Sequence, residues 1–382
     1  MFSAPRSSTC TLRGRRVASA LFATIALSSA LAGCARPGAN VLIPTETVAP
    51  GAKLVTVYVA TTRVRQADSM IVYNSDRASN LNYAEFTIAI PPRHKAGEIE
   101  WPSGVPDPES NFLTVRQNLL TAQEFESKVS ARSNRKAAVF VHGYNVSFQE
   151  AVFRLAQLTS DGDIDGVPIL FSWPSEGTLT GYIADKDSAT YSRDALAHLL
   201  TLLARDRKNG DVAVLGHSMG AWLTAESLRQ LRMTGRNATI NRLAVVLAAP
   251  DIDVDVFRTQ MKVIGPLTPP MTVLVSRDDK ALAFSSRITG TRKKLGSIDV
   301  DDPRVQEAAR AAKVRVIDIS SLNAPDGLNH DGFVTLGTLY SRLGPSERRG
   351  NDAGQAGAFV FNTFGTVLST PFSLVGGALA GQ

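Results

Sequence analysis

Between residues 137 and 319 the chain repeats one pattern: a short apolar run, a turn, then a segment with helical spacing. The apolar runs stand at 137–141, 168–173, 211–216, 243–249, 271–276 and 314–319; helical spacing falls at 148–158, 189–205 and 220–232. Continuous rather than alternating apolar runs belong to strands buried on both faces, with the intervening helices covering them. The pattern predicts an α/β fold: a mostly parallel central sheet with helices on both faces. Upstream, residues 53–63 and 83–91 are rich in Val, Thr, Ile and aromatics. They predict a β-rich lead-in over 53–110, joined to the main sheet within one domain spanning 53–345.

One junction in the series is abrupt. The apolar run 211–216 passes through Gly216-His217-Ser218-Met219-Gly220 directly into helical spacing. Such a strand-to-helix turn lifts the Ser218 hydroxyl above the sheet at the positive end of a helix, while the flanking glycines let neighbouring chain approach. Ser218 is the expected nucleophile, as opposed to an ordinary turn serine.

A serine hydroxyl is inert at neutral pH without a base, and the base needs an acid to orient it. For a G-x-S-x-G turn the partners follow in the order acid, then His. Of the five histidines only His330 lies beyond Ser218, shortly after the 314–319 run. The acid has more candidates. The 271–276 run ends in Arg277-Asp278-Asp279-Lys280, which favours Asp279 and then Asp278, with Asp251 and Asp253 in reserve. Asp251 can equally shape a loop or bond backbone amides at a helix start. Backbone donors for a developing oxyanion are expected from Met219 and from the loop after Val141. There, His142-Gly143-Tyr144 resembles the HG segment of lipases and esterases; that resemblance points to the Tyr144 N–H, with Gly143 allowing close approach. His142 then organises the loop, His217 flanks the turn, His94 sits in a loop and His198 on a helix face. None has metal-ligand spacing with another histidine, and no metal or organic cofactor is implied.

Several motifs together resemble a bacterial branch of the α/β-hydrolases long catalogued as a domain of unknown function. They are VFVHGYN (139–145), FSWPS (171–175), Tyr182 with Asp185, GHSMG (216–220), AAPDID (248–253) and SRDDKAL (276–282). The likeness runs from about residue 55 to about residue 340 and implies the α/β-hydrolase fold with esterase- or lipase-like hydrolysis of an unspecified substrate. Alignment of SRDDKAL with the family pattern places the acid at Asp279. Around His330 little matches beyond a Gly-x-x-His, so that residue rests on chain order. Trp173 and Tyr182 are expected near the catalytic edge, where they could wall an acyl or alcohol pocket; the alternative for Trp173 is simple loop packing.

The first 33 residues carry Arg6, Arg13, Arg15 and Arg16, then an apolar stretch over 17–30, then Leu31-Ala32-Gly33-Cys34. This order reads as a secretory signal. Its ending resembles the lipobox of bacterial lipoproteins, which implies lipidation of Cys34 and export to the cell envelope. Ala35 behind the Cys implies the periplasmic side of the outer membrane, and residues 34–52 then form a tether. Of the formal charge of +6, the four leader arginines account for all but +2. The remaining bases are interleaved with acids, which removes the electrostatic case for a nucleic-acid partner. The two cysteines, Cys10 and Cys34, leave no thiol pair for a disulfide framework in the mature chain. Residues 346–382 form an apolar, Gly-rich tail, charge-free after Asp352 and interrupted by Pro371, which reads as flexible or membrane-contacting.

These observations converge on a serine hydrolase acting on small-molecule or lipid esters, with membrane association through Cys34. Amidase, thioesterase or acyltransferase chemistry would use the same parts. A non-catalytic envelope lipoprotein is the rival from another class, and its mark would be a missing nucleophile, acid or His.

Overall fold

The computed structural model describes residues 36–66, 72–132, 136–162, 166–205, 211–290 and 293–342. The expected leader (1–33), Cys34 and the tail (346–382) lie outside them. All elements below belong to the compact unit that begins at Ala39.

Nine strands form one sheet in the order β3-β2-β1-β5-β4-β6-β7-β8-β9. The strands are β1 (Lys53–Arg65), β2 (Tyr73–Ile90), β3 (Leu113–Leu120), β4 (Lys136–Val141), β5 (Gly166–Ser172), β6 (Val212–His217), β7 (Leu243–Ala248), β8 (Thr272–Val275) and β9 (Arg315–Asp318). β1, β2 and β3 pair antiparallel, β1 joins β5 in parallel, and every later pairing is parallel. The lead-in is thus three strands of the same sheet.

The continuous apolar runs have the expected cause. Ala137, Val139 and Val141 of β4 enter one apolar layer, and Ala138 and Phe140 enter the other. β7 divides in the same way, with Leu243, Val245 and Leu247 against Val246 and Ala248. A strand covered on both faces needs apolar side chains at every position. The helices are α1 (Ala122–Ser130), α2 (Phe148–Asp161), α3 (Tyr182–Tyr191), α4 (Arg193–Arg205), α5 (Met219–Met233), α6 (Asn237–Ile240), α7 (Val254–Ile264), α8 (Lys280–Ile288), α9 (Pro303–Ala312) and α10 (Gly332–Arg342). Leu223, Leu228 and Phe257 of α5 and α7 cover the first layer; Phe148, Val152, Phe333 and Leu336 of α2 and α10 cover the second. α1 and α2 each start on a full capping box, Thr121 with Glu124 and Ser147 with Glu150.

The expected tether needs correction from residue 39 onward. Ala39–Leu42 form a 3-10 turn, Leu42 is wholly buried, Thr45 N–H donates to the Thr114 carbonyl (2.9 Å), and Thr114 Oγ1 donates to the Val41 carbonyl (2.8 Å). Val41 and Leu42 complete the second apolar layer, so this stretch is folded rather than extended linker.

Candidate active site

Ser218 sits between β6 and α5 with φ 54° and ψ −118°, a left-handed conformation that a residue bearing a Cβ enters only under strain, at a cost of about 1–3 kcal/mol. Tertiary contacts hold it there. Its N–H donates to the Ala248 carbonyl of β7 (2.9 Å), and its own carbonyl accepts from Asp251 N–H (3.2 Å). The glycines are required by space: a Cβ on Gly216 would stand 2.6 Å from Thr224 Oγ1, and one on Gly220 would fall on the carbonyl oxygens of Val141 and His142. A Cβ on Gly143 would lie 3.0 Å from Ser218 Cβ, so the loop after β4 rides directly on the turn.

His330 and Asp279 meet close to this turn, on the His217 side. His330 Nδ1 is 2.7 Å from Asp279 Oδ2, and the other Asp279 oxygen accepts from Leu282 N–H (2.8 Å) as the N-cap of α8. One carboxylate therefore starts a helix and fixes a ring. The His330 ring centroid lies 4.6 Å from that of His217, the residue preceding Ser218. Burial pushes the His330 pKa down, but the hydrogen bond and charge of Asp279, with help from Asp331 and Asp326, more than offset it, and the net direction is upward. The His330 loop is anchored through Asn329 Nδ2, which donates to Asp278 Oδ2 (2.8 Å). The other acid candidates are committed elsewhere: Asp278 also accepts from Ser276, Asp253 caps α7, and Asp251 lies in a separate ion pair.

Met219 is the first residue of α5, and the first N–H groups of a helix have no intrahelical acceptor. On the opposite side, the His142-Gly143-Tyr144 loop is fixed by a hydrogen-bond chain. Arg63 Nε donates to Ser172 Oγ (3.0 Å), Ser172 Oγ is 3.2 Å from His142 Nε2, and His142 Nδ1 is 2.9 Å from the Gly143 carbonyl. The carbonyl can only accept, so His142 carries a proton on Nδ1, and in the neutral ring Nε2 is left to accept from the Ser172 hydroxyl. Burial, and then the Arg63 charge, lower its pKa to about 3, in agreement. Because the peptide is planar, fixing the Gly143 carbonyl also fixes the direction of the Tyr144 N–H.

Trp173 and Tyr182 need correction as pocket walls. Trp173 is wholly buried, its indole N–H donates to the His142 carbonyl (2.8 Å), and its ring stacks on that of His142. It packs the loop. Tyr182 is buried too, and its hydroxyl donates to Asp251 Oδ2 (2.7 Å). Its ring meets Tyr144 edge-on.

Three further features frame the site, and two of their residues, Arg63 and Lys294, carried no signal in the sequence. Arg63 is buried, and besides Ser172 it donates to the carbonyls of Asn74, Ser175 and Val146. Asp185, also buried, accepts from Asn145 N–H, Ser175 Oγ and Glu176 N–H. Together they clamp the loop after β4 to the loop after β5. Asp251 pairs with Lys294 Nζ at 2.9 Å, both buried, and accepts from Tyr182 and Ser285 hydroxyls. Lys294→Met would leave that carboxylate buried without its cation. We expect a loss of about 3 kcal/mol in urea-induced unfolding, and a loss below about 1 kcal/mol would show the pair to be dispensable.

A cavity of about 420 Å³ adjoins the turn, lined by Gly143, His217, Arg154, Asp331 and the loop at Asp326 among others. Asp331 approaches both Arg154 (3.4 Å) and His217 (3.5 Å). Burial and the neighbouring His330 lower the His217 pKa to about 3, so its contact with Asp331 is not an ion pair. Neither this cavity nor a larger apolar groove of about 670 Å³ between α7 and α9 has Ser218, Asp279 or His330 in its lining.

Among known proteins, residues 118–346 match the family described as alpha/beta hydrolase of unknown function (DUF900). An uncharacterized protein (alr1448) of Nostoc sp. is 30% identical over 115 residues, which cover 24% of this chain and 30% of that protein. The match therefore spans under a third of that relative's length. Of solved structures, a protein of Agrobacterium vitis S4 assigned provisionally as a hydrolase shares 13% identity over 65% of this chain and 99% of its own, with a TM-score of 0.28. MGS-M1, an α/β hydrolase enzyme from a Medee basin deep-sea metagenome library, shares 15% over 74% of this chain and 90% of its own, with a TM-score of 0.27. At such scores neither structural likeness bears on function. The family match, covering more than half of the chain and both the Ser218 turn and the Asp279–His330 pair, shows that this protein belongs to the DUF900 family of α/β-hydrolases.

Proposed function

We propose that the protein is a serine hydrolase that cleaves acyl esters through a covalent acyl-enzyme. The observation that carries this reading is the 2.7 Å Asp279–His330 contact, set beside a strained serine at a helix start. His330 Nε2 takes the Ser218 proton while Nδ1–H remains bonded to Asp279, and the Ser218 oxygen attacks the ester carbonyl. The resulting oxyanion is met by the N–H groups of Met219 and Tyr144. Collapse expels the alcohol, which receives its proton from His330. Water, deprotonated by the same ring, then releases the acid and restores Ser218.

The test is covalent labelling of the folded protein by a fluorophosphonate probe. Labelling is expected in the native chain, absent in Ser218→Ala and retained in Ser285→Ala, whose hydroxyl is held by Asp251. No labelling of folded native protein, or labelling that survives Ser218→Ala, would sink the proposal. A chain-length series of p-nitrophenyl esters then measures acyl preference, with turnover expected to vary along the series.

A further inference from the structure

α8 leaves Asp279 and presents two faces. Its inner face carries Leu282 and Ser285, both buried, with Ser285 Oγ donating to Asp251 (2.8 Å). Its outer face carries Phe284 (48% exposed) and Ile288 (41% exposed). Large apolar side chains in water are unremarkable singly; a contiguous group of them marks a contact surface.

Here they have neighbours. Leu328, 47% exposed, lies two residues before His330, and its carbonyl accepts from Lys280 N–H at the start of α8 (2.9 Å). Ile183, 73% exposed, follows Tyr182, whose hydroxyl shares the Asp251 carboxylate with Ser285 of α8. Leu179, 67% exposed, lends its carbonyl to the Tyr144 hydroxyl. Five exposed apolar side chains thus come from three segments, with α8 hydrogen-bonded to the other two through Lys280–Leu328 and Ser285–Tyr182.

The α8 stretch itself carries only basic charge. From Lys280 to Ile298 the sequence holds no Asp or Glu, and Lys280, Arg287 and Lys293 are exposed. Acids border this stretch at one end, where Asp278 precedes α8 and Asp326 accepts from Leu328 and His330 N–H, so the basic end of α8 is the one that carries Arg287. An exposed helix with apolar side chains flanked by bases has the chemistry of an interfacial helix, which sinks its apolar face into the headgroup region while its bases meet anionic phosphates.

We infer that the α8 face, with Leu328, Ile183 and Leu179, seats on an anionic phospholipid surface and turns the Ser218 site toward ester substrates presented in that surface. The docking part stands on the exposed face alone; the substrate part rests on the serine-hydrolase reading above. A soluble ester needs no docking and would be hydrolysed with or without it.

The test uses the full chain with Cys34→Ala, so that no acyl anchor contributes, and Ser218→Ala for binding, so that the lipid stays intact. Flotation with vesicles of equimolar phosphatidylcholine and phosphatidylglycerol is expected to carry the protein, and phosphatidylcholine alone to carry much less. Phe284→Ser with Ile288→Ser should weaken binding at least about tenfold, and Arg287→Glu should weaken it with a reduced salt dependence. In a Ser218-containing chain the same changes should leave p-nitrophenyl acetate turnover unaltered while lowering release of fatty acid from vesicles. Native-like vesicle binding by the double variant would overturn the inference, as would absence of binding by the parent. A parent that is dimeric and becomes monomeric on Phe284→Ser with Ile288→Ser, without vesicle binding, would assign the face to a second copy and overturn it too. Binding without turnover of any ester would instead sink the hydrolase reading and leave the docking face standing.

Discussion

Asp279→Asn is expected to lower kcat by about 10⁴-fold with KM little changed. The substitution is clean because the two carboxylate oxygens have separate tasks. Oδ1 accepts from Leu282 N–H at the start of α8, and an Asn side-chain oxygen can still do so. Oδ2 accepts from His330 Nδ1, and an amide nitrogen placed there donates instead, favouring the tautomer with its proton on Nε2, the nitrogen that must be bare to take the Ser218 proton. The pH profile supplies an independent reading. A base works in its neutral form, and the His330 pKa is held above the ordinary value of 6.5 because Asp279, backed by Asp331 and Asp326, outweighs burial. The kcat/KM of the native chain should therefore rise with pH through a midpoint above 6.5. In Asp279→Asn the midpoint should move to lower pH, since the largest favourable partner of the imidazolium is gone. A drop in kcat of less than about tenfold, or an unmoved midpoint, would remove Asp279 from the mechanism.

Gly220→Ala is expected to destabilise the fold by more than about 4 kcal/mol, a range that only gross core disruption reaches. Gly220 lies in the first turn of α5, where its Cα faces the end of β4, and a methyl there would occupy the space of the Val141 and His142 carbonyl oxygens. These atoms are backbone, tied into the sheet and the loop that Trp173 bonds, so nothing can swing aside. Gly235→Ala makes the contrast. Gly235 has a φ of 72° with open space around its missing Cβ, so that change should cost only about 1 kcal/mol. Equal thermal shifts in the two variants would refute the close-approach explanation. The insoluble fraction on expression and the melting temperature of any soluble Gly220→Ala protein are the measurements to make.

The repeated strand-and-helix pattern was legible because burial on both faces leaves a periodic signature, and β4, β6 and β7 stand within a residue of where that signature places them. Tertiary contact erased it elsewhere. The helix expected over 189–205 is two helices, α3 and α4, parted at Ser192, whose hydroxyl meets Thr62 (2.7 Å) and the Ser188 carbonyl. Residues 39–50 read as linker because their apolar residues, Val41-Leu42-Ile43 and Val48, are broken by Pro44 and polar residues and show no period. At the site, Ser218, Asp279 and His330 could be singled out by motif and chain order, and the structure brings Asp279 onto His330. Arg63 and Lys294 could not. A lone cation in a strand or loop looks solvated, and what makes each different is a partner set 109 residues away for Arg63–Ser172 or a carboxylate in another loop for Lys294.

The junction between β1 and β5 sets the smallest piece of this chain that can work. The family match begins at residue 118, inside β3, yet the guanidinium that steadies the loop after β4 comes from position 63. A fragment cut at the start of the match would strip two whole strands from the sheet, turn β5 into a bare edge open to pairing with other chains, and leave the Val146 and Ser175 carbonyls without their donor. Expression of the recognised region by itself would thus yield an aggregating partial sheet, and boundaries for biochemical work belong ahead of β1, at about residue 39, where the unit holding all nine strands begins.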